Sequence, residues 1–271
     1  MSMPCQFVLT AVTSDPETAA AVDAAGVDRV GIDIERMGKL ARQGHLSEAR
    51  ISDHQLDELS GVAARVTRAE LFARLNPLHA GSGEEVERAL ALGARALMLP
   101  YFSSRREAAA FVDMIGGRAS PVLLLETAAA VERLPEIVSV KGVSEIFIGL
   151  NDLRIGLGLS HPFEVVVSDL MDTIASRVLD AGLRFGFGGV ARFDDCTLPV
   201  QPDLVYSQYP RLNATSAWLA RSFFAGLEPG AIEAAVRTLR QRMTYWGGQS
   251  AAALDGRRAE LAAALERLKG R

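Results

Sequence analysis

Four short apolar runs in this chain each end in a charged side chain. The runs end at Asp33, with Glu35 two residues further on, at Arg74, at Glu126 and at Asp152. A buried charge without a partner is costly, so these side chains must meet one another or a ligand. If the runs are parallel strands of one barrel, their carboxyl ends open on the same face, where barrel enzymes carry their active sites. We therefore expect the three carboxylates and the one guanidinium that end these runs to converge on a single cavity.

Glu126 and Asp152 follow consecutive runs, so in a barrel they lie on neighbouring strands about 4.8 Å apart. Two carboxylates at that spacing can share a hard divalent cation, and Mg²⁺ typically takes one or two carboxylates together with water and substrate oxygens. The alternative is that each carboxylate caps the helix that follows it, at Glu126-Thr127 and at Asn151-Asp152. As a pair on adjacent strands, Glu126 and Asp152 favour a metal site.

Arg74 places a guanidinium at the predicted mouth of the barrel. That group suits bidentate capture of a carboxylate or an enolate oxygen. The alternative is a structural salt bridge to Asp33 or Glu35, and both can hold together if the acids orient the arginine. We treat Arg74, Asp33 and Glu35 as catalytic candidates and add Asn76, two residues beyond Arg74, to the substrate-binding candidates.

His54 follows Asp53 within a long polar connection at residues 35–59. It is a catalytic candidate, because histidine can act as a general base near neutral pH. The alternative, which we favour, is the start of a helix with Ser52 or Asp53 as its N-cap.

A glycine-rich segment ends the seventh apolar run. Gly188 and Gly189 expose backbone N–H groups and permit the close approach of a ligand. The loops after strands seven and eight of a barrel often bind phosphate or carboxylate groups. The alternative is a tight turn that needs glycine for its backbone angles. With Arg192 nearby, we predict Gly188, Gly189 and Arg192 as substrate contacts, together with Asn151.

The elements that must position these residues alternate between strand-type runs and amphipathic stretches, which indicates βα units and a parallel sheet. The runs are continuously apolar, as expected for strands buried on both faces. The predicted strands are residues 7–12, 29–34, 71–75, 94–99, 121–125, 145–149, 184–188 and 216–219. The predicted helices include residues 16–25, 84–92, 105–115, 128–138 and 164–181. Eight units without a GxGxxG motif favour an α/β fold of the (β/α)₈ TIM-barrel type over an open doubly wound sheet.

Two stretches depart from this alternation. The connection at residues 35–59 has the length of a lid or binding loop, and its basic residues Arg36, Lys39 and Arg42 suit a negatively charged or polyhydroxylated partner. After strand eight, two further amphipathic helices are predicted at residues 230–246 and 249–268, on a barrel end or against a neighbouring subunit. We therefore divide the chain into a barrel domain, residues 1–228, and a C-terminal helical extension, residues 229–271, with a homo-oligomer expected.

Composition excludes several functional classes. A net charge of −4 argues against a nucleic-acid partner, since nucleic-acid-binding domains usually carry a basic patch. No run approaches the roughly 18 apolar residues of a membrane-spanning helix, and the first residues lack the features of a signal peptide. The two cysteines form no metal-type cluster and are expected as reduced thiols, so we predict a cytoplasmic protein.

Four motifs resemble the phosphoenolpyruvate/pyruvate-binding TIM-barrel superfamily. The closest part is the family that joins class II 2-keto-3-deoxy sugar-acid (hydroxy-oxo-heptanedioate) aldolases with the citrate lyase beta subunit. Residues 122–127 are similar to its apolar run ending in Glu-Thr at strand five, and residues 148–153 to its Ile-Gly-x-x-Asp-Leu at strand six. Residues 73–76 and 94–100 resemble its motifs at strands three and four.

The resemblance implies ligands and roles for the candidate residues. Glu126 and Asp152 would hold a divalent metal, Mg²⁺ first and Mn²⁺ or Co²⁺ as alternatives, and Arg74 would bind a pyruvyl group. One position departs from the family: the aldolases carry Asp-Gly-Glu-His after strand two, whereas this chain has Asp33-Ile34-Glu35-Arg36. The lyase branch, with Asp-Leu-Glu-Asp, also differs at the last place. The candidates for the missing base are His54, Glu35 and a hydroxide on the metal.

The predicted function is therefore a metal-dependent carbon–carbon lyase, an aldolase that cleaves or forms a 2-oxo acid through a pyruvate enolate. One alternative is a citrate-lyase-like acyl-CoA lyase with the same metal site. A second is a non-catalytic pyruvyl- or sugar-acid-binding barrel, which Arg36 in the place of the histidine favours; a metal-assisted hydrolase is a third. The expected partner is a small 2-oxo acid or an acyl-CoA. Members of the resembled family exchange C-terminal helices between subunits, which implies a trimer or hexamer.

Overall fold

A computed structural model describes residues 7–43, 52–224 and 226–270 of the chain. Eight parallel strands pair in chain order and close into a barrel, with β8 returning to β1. They are β1 Val8–Val12, β2 Arg29–Asp33, β3 Glu70–Arg74, β4 Ala96–Leu99, β5 Ser120–Leu125, β6 Glu145–Ile148, β7 Arg184–Val190 and β8 Ser216–Leu219. The predicted (β/α)₈ barrel is confirmed, and no predicted strand end differs from the observed one by more than about two residues.

Helices surround the barrel. The α-helices of the described residues are α1 Pro16–Ala24, α2 Lys39–Gln43, α3 Leu59–Ala63, α4 Ser82–Ala91, α5 Arg105–Ile115, α6 Ala128–Glu132, α7 Leu134–Val138, α8 Leu150–Gly156, α9 Pro162–Val167, α10 Asp169–Asp180, α11 Pro202–Tyr206, α12 Gln208–Arg211, α13 Pro229–Gly247 and α14 Ala251–Lys269. Short 3₁₀ helices cover Leu56–Glu58 and Arg221–Phe223.

Two stretches that were each predicted as one helix are pairs of helices. Residues 128–138 form α6 and α7, because Pro135 has no backbone N–H and its ring clashes with the preceding turn. Residues 164–181 divide at Ser168, whose backbone is extended and whose hydroxyl accepts the N–H of Met171 at 3.2 Å as the N-cap of α10. The helical periodicity continues through both breaks, so local chemistry decides where each helix ends.

Inward-facing side chains alternate along the strands and form layers inside the barrel. The layer at the amino ends of the strands is ionic. Arg29 Nε lies 2.8 Å from Glu70 Oε2, and its Nη1 lies 2.7 Å from Glu145 Oε2. Glu145 also accepts the hydroxyl of Ser216 at 2.5 Å. Because Arg29 and Glu145 are both buried, each depends on the other for charge compensation.

An aromatic layer lies above the ionic one. Trp218 packs edge-on against Phe72, with ring centroids 5.6 Å apart, and lies 5.8 Å from Phe147. Gly31 is required beside this layer, since a Cβ there would lie 1.6 Å from the carbonyl oxygen of Phe72. This apolar layer lies directly beneath the charged residues at the carboxyl ends of the strands, and the Arg74 guanidinium lies over the Trp218 ring.

The two C-terminal helices pack on the barrel of the same chain. Helix α13 contacts α1, and α14 contacts α9, α11 and α12. Their apolar side chains, among them Trp246, Leu254 and Leu261, are buried. Of the two predicted positions for these helices, the structure shows packing on the barrel of the same chain. The two-domain division and the oligomer stay predictions. Among the described residues, no helix is both long enough and apolar enough to cross a membrane.

Candidate active site

The carboxyl ends of the strands bring the predicted charged residues to one mouth of the barrel. Asp33 and Arg74 are the last residues of β2 and β3, and Glu126 directly follows β5. Asp152 lies in the first turn of α8, which corrects its predicted place at a strand end. Because the strands are parallel and closed into a barrel, these positions share one face.

Glu35, Glu126 and Asp152 form a buried cluster, which we call the acid triad. Each offers one carboxylate oxygen, and these oxygens lie within 4.8 Å of one another. All three residues are buried. Glu35, which we expected to orient Arg74, therefore also stands beside the two predicted metal ligands. Three buried carboxylates this close need cations or a proton to offset their repulsion.

Glu126 is held in position from two sides. Its Oε1 accepts the backbone N–H of Tyr101 at 2.9 Å. Gly149 leaves room for it, since a Cβ at that position would lie 2.2 Å from Glu126 Oε2. Burial, together with the charges of Glu35 and Asp152, raises the pKa of Glu126 well above its ordinary value. Without a bound cation, this carboxyl group therefore holds its proton up to a higher pH than an ordinary glutamate does.

Helix capping does not explain the carboxylates. Thr127 caps α6, because its Oγ1 accepts the backbone N–H three residues further on at 3.1 Å. Gly149 is the N-cap of α8, and the Asp152 carboxylate instead accepts hydrogen bonds from Arg42 and Gln43. The capping alternative is therefore wrong at both positions.

Arg74 and Asp33 form a bidentate ion pair. Arg74 Nε lies 2.8 Å from Asp33 Oδ1, and its Nη2 lies 2.6 Å from Asp33 Oδ2. Arg74 Nη1 is 3.4 Å from Glu35 Oε2, and the guanidinium lies 4.7 Å from the ring centroid of Trp218. Burial disfavours ionisation of Asp33, but the charges of Arg74 and Lys39 outweigh it and hold its pKa well below the ordinary value. Arg74 is thus fixed in orientation by a carboxylate that stays ionised.

Helix α2 lies against the acid triad. Lys39 Nζ is 2.7 Å from Glu35 Oε2, and Arg42 Nη2 is 2.7 Å from Glu35 Oε1. Arg42 Nε also lies 3.3 Å from Asp152 Oδ1. Gln43 Nε2 donates to Asp152 Oδ2 at 2.6 Å. We expected the basic residues of this connection to face a charged partner, but Lys39 and Arg42 face carboxylates of their own chain. The next part of the connection, residues 44–51, lies outside the described residues.

His54 lies beside Asp33, and its Nδ1 accepts the backbone N–H of that residue at 3.2 Å. Burial lowers the pKa of His54, although the charge of Asp33 opposes the shift, so the ring is neutral near pH 7. A neutral ring that accepts at Nδ1 carries its hydrogen on Nε2. The helical turn after His54 has Gln55 as its N-cap, so the prediction of a cap at Ser52 or Asp53 is wrong.

Asn76 supports the connection to α2. Its Oδ1 accepts the backbone N–H groups of Arg36 and Met37 at 3.0 and 3.2 Å, and its Nδ2 donates to Glu85 at 2.8 Å. Arg36 in turn donates to the carbonyl oxygen of His54 at 3.1 Å. Asn76 was predicted as a substrate contact, and the structure gives it a role in positioning the segment that leads into α2.

The other predicted substrate contacts lie around the mouth. Asn151 is exposed. Gly188 pairs with β8, and Gly189 follows it. Arg192 Nη1 donates to the carbonyl oxygen of Phe223 at 3.4 Å, a contact between the loops after β7 and β8. Substrate binding by these four residues stays a prediction.

Three contributors to the site were not found from the sequence. Tyr101 supplies a backbone N–H to the triad, and its ring lies 3.7 Å under the Arg42 guanidinium. Trp218 is the floor beneath Arg74, and Gln43 reaches Asp152 across the mouth. The one available signal was that Tyr101 lies two residues beyond a predicted strand and Trp218 is the next-to-last residue of another.

The acid triad fits a hard divalent cation, because three buried carboxylate oxygens are the donor type that Mg²⁺ or Mn²⁺ prefers. Glu35, Glu126 and Asp152 would hold the ion. The oxygens of Glu35 and Asp152 now accept hydrogen bonds from Lys39, Arg42 and Gln43. An ion that uses these oxygens must therefore replace those contacts.

A closed (β/α)₈ barrel with buried carboxylates at the carboxyl ends of its strands defines the class of TIM-barrel enzymes. The sequence profile of the HpcH/HpaI aldolase/citrate lyase family matches residues 6–194. The chain belongs to this family, which confirms the predicted resemblance. Family membership supports a lyase of the aldolase type.

Solved structures similar to this chain have the same fold. An HpcH/HpaI aldolase from Desulfitobacterium hafniense DCB-2 is 16% identical with a TM-score of 0.62, covering 89% of this chain and 92% of its own. An HpcH/HpaI aldolase/citrate lyase family protein from Burkholderia cenocepacia J2315 is 17% identical with a TM-score of 0.63, covering 89% and 94%. The citrate synthase SbnG is 16% identical with a TM-score of 0.61, covering 88% and 94%. No curated protein matches the sequence significantly.

Proposed function

We propose that this protein is a metal-dependent carbon–carbon lyase that cleaves or forms a 2-oxo acid through a pyruvate enolate. The observation that carries the proposal is the acid triad beside Arg74 at the mouth of the barrel, in a chain of the aldolase/citrate lyase family. A pyruvyl unit has a carboxylate and a ketone oxygen, which a cation and a guanidinium can hold together.

Arg74 is the residue that stabilises negative charge on the substrate. Its contacts with Asp33 and Glu35 use three of the five N–H groups of a guanidinium, which leaves donors for a substrate oxygen. Because Asp33 fixes the guanidinium before substrate binds, little reorganisation is needed as charge develops on the enolate oxygen. Trp218 closes the site from below and limits the access of water.

Cleavage breaks the bond between C3 and C4 of the 2-oxo acid and moves its electron pair into the enolate. The C4 hydroxyl proton goes to a base, an aldehyde leaves, and the enolate gains a proton at C3 to give pyruvate. His54 Nδ1 already accepts a backbone N–H, so its Nε2–H is a donor. We assign the accepting role to the Glu35 carboxylate oxygen that does not hold the metal, since each residue of the acid triad offers one oxygen to the ion. When bound, the metal supplies Lewis-acid polarisation of the ketone.

The test is exchange of the methyl protons of pyruvate for deuterium, followed by NMR. Exchange is compared between samples with added Mg²⁺ or Mn²⁺ and samples from which the metal has been removed by a chelator. We expect metal-dependent exchange by the wild type and loss of at least 100-fold, on the order of one removed electrostatic contact, in Glu126→Gln. Glu132→Gln, an exposed site on α6, is the matched control and should exchange like the wild type. Exchange that persists in Glu126→Gln would refute the assignment of the site.

A second candidate function is a non-catalytic barrel that binds pyruvyl or sugar acids. The observation that favours it is the pairing of Lys39 and Arg42 with the acid triad, in a chain that has Arg36 where the aldolases have their histidine. This candidate predicts saturable binding of pyruvate without exchange of its methyl protons. Exchange only when an acyl-CoA is offered would instead favour the citrate-lyase-like alternative.

A further inference from the structure

We propose that helix α2 is an internal competitor of the divalent cation, so that the acid triad holds either the metal or the side chains of Lys39, Arg42 and Gln43. The inference rests on the proposed metal site and adds a conformational step to it. The acid triad is shielded by α2 in the metal-free protein, and α2 moves away when the cation binds.

The first argument is that α2 and the cation need the same atoms. Both Glu35 oxygens are engaged, Oε2 by Lys39 and Oε1 by Arg42, each at 2.7 Å. Both Asp152 oxygens are engaged as well, Oδ1 by Arg42 at 3.3 Å and Oδ2 by Gln43 at 2.6 Å. A cation that binds these carboxylates directly cannot share the space with the guanidinium.

The second argument is charge. Lys39 and Arg42 bring two positive charges to the mouth, the same charge that a divalent cation carries. Replacing one by the other keeps two positive charges beside Glu35 and Asp152, so these buried carboxylates are not left uncompensated. The exchange therefore avoids the large cost of leaving buried carboxylates without a counter-charge.

The third argument is that α2 is held mainly by these polar contacts. The buried residues of the helix are Lys39 and Gln43, while Leu40 is 72% exposed and Met37, just before the helix, is 46% exposed. When α2 moves away from the acid triad, little buried apolar surface becomes exposed to water, because Leu40 and Met37 are already exposed. Asn76 holds the backbone of Arg36 and Met37, which makes it the fixed end of the movement.

The experiment measures Mn²⁺ binding to the full chain by the loss of the free-ion EPR signal. Gln43→Ala is the central variant, because it weakens the hold of α2 on Asp152 without changing any charge. We expect it to bind Mn²⁺ about threefold tighter than the wild type, and Arg42→Met about tenfold tighter, since the competent fraction sets the apparent affinity. Glu126→Gln identifies the site and should lose saturable binding.

Arg221→Met is the control for charge. Arg221 Nη2 lies 3.6 Å from Asp33 Oδ2, and Arg221→Met removes the same charge as Arg42→Met from a residue that is not part of α2. We expect its Mn²⁺ affinity to stay close to that of the wild type. Equal tightening in Arg42→Met and Arg221→Met, with Gln43→Ala unchanged, would overturn the inference, as would the absence of saturable Mn²⁺ binding in every variant.

Tryptic cleavage after Lys39 reports the movement directly. Lys39 is buried, so the peptide bond between Lys39 and Leu40 is protected from trypsin while α2 contacts the acid triad. Saturating Mn²⁺ should accelerate this cleavage in the wild type, and cleavage that stays constant or slows while Mn²⁺ binds would contradict the proposal. Metal-accelerated cleavage without exchange of the pyruvate methyl protons would refute the proposed lyase activity but not the competition between α2 and the cation. Exchange of the methyl protons without any change in tryptic cleavage would refute the competition but not the lyase activity.

Discussion

Replacing Asp33 by asparagine tests whether the ion pair with Arg74 holds the mouth together. The variant keeps the size of the side chain but removes the charge that faces a buried guanidinium, with exposed side-chain fractions of 2% for Asp33 and 11% for Arg74. Removing one partner of a buried pair typically costs about 3–5 kcal/mol, because the other charge stays buried without compensation. Glu35, 3.4 Å from Arg74, offsets part of this loss, so we expect about 3 kcal/mol.

For a domain of this size, a loss of about 3 kcal/mol corresponds to a fall in Tm of roughly 6–12 °C. Thermal unfolding followed by circular dichroism at pH 7 measures it. Asp57→Asn is the matched control, because Asp57 pairs with Arg88 on the surface, with 72% of the Asp57 side chain exposed, and exposed pairs contribute little. An Asp33→Asn variant that melts like Asp57→Asn would refute the reasoning.

The pH dependence gives a second check on Asp33. Its pKa is held below the ordinary value in the folded protein, so the folded state binds fewer protons than the unfolded chain as the pH falls below about 4. The stabilisation is therefore fully present above that pH and is lost as the pH falls through the folded-state pKa. The difference in Tm between wild type and Asp33→Asn should narrow below about pH 4, and a constant difference would contradict the assigned pKa direction.

Three further predictions concern single residues. Burial and its acidic neighbours raise the pKa of Glu126, so the folded state binds the Glu126 proton more tightly than the unfolded chain does. The stability of the wild type is therefore lost as the pH rises through the folded-state pKa. In the presence of a chelator, Glu126→Gln should raise the Tm at pH 8 but not at pH 4. Gly149→Ala places a Cβ 2.2 Å from Glu126 Oε2 and should abolish Mn²⁺ binding measured by EPR, whereas Gly156→Ala, with no atom within 4 Å of its Cβ, should not. Glu145→Gln leaves Arg29 buried with a weaker partner and should destabilise the barrel in urea unfolding by about 2–4 kcal/mol, with Mn²⁺ binding retained.

Local patterns were enough for the strands and for part of the site. The strands are short, mainly apolar runs, and this pattern does not depend on the rest of the chain, so all eight were predictable. Glu126 and Arg74 were predictable for the same reason, since each stands at or just beyond the end of such a run. The interrupted helices were harder, because Ser168 divides a stretch whose periodicity continues on both sides.

The sequence also contained every charge of the mouth, but not the partner of each charge. Lys39 and Arg42 were predicted to suit a negatively charged or polyhydroxylated partner, and nothing local indicates that Arg42 meets Asp152, 110 positions away. The order of residues therefore settled the barrel, the charged strand ends and the family. The tertiary structure decided the rest: closure of the barrel brings Glu35 close to Glu126 and Asp152. Three buried carboxylates need positive charges nearby, and Lys39 and Arg42 of α2 are the cations that the fold places within contact distance.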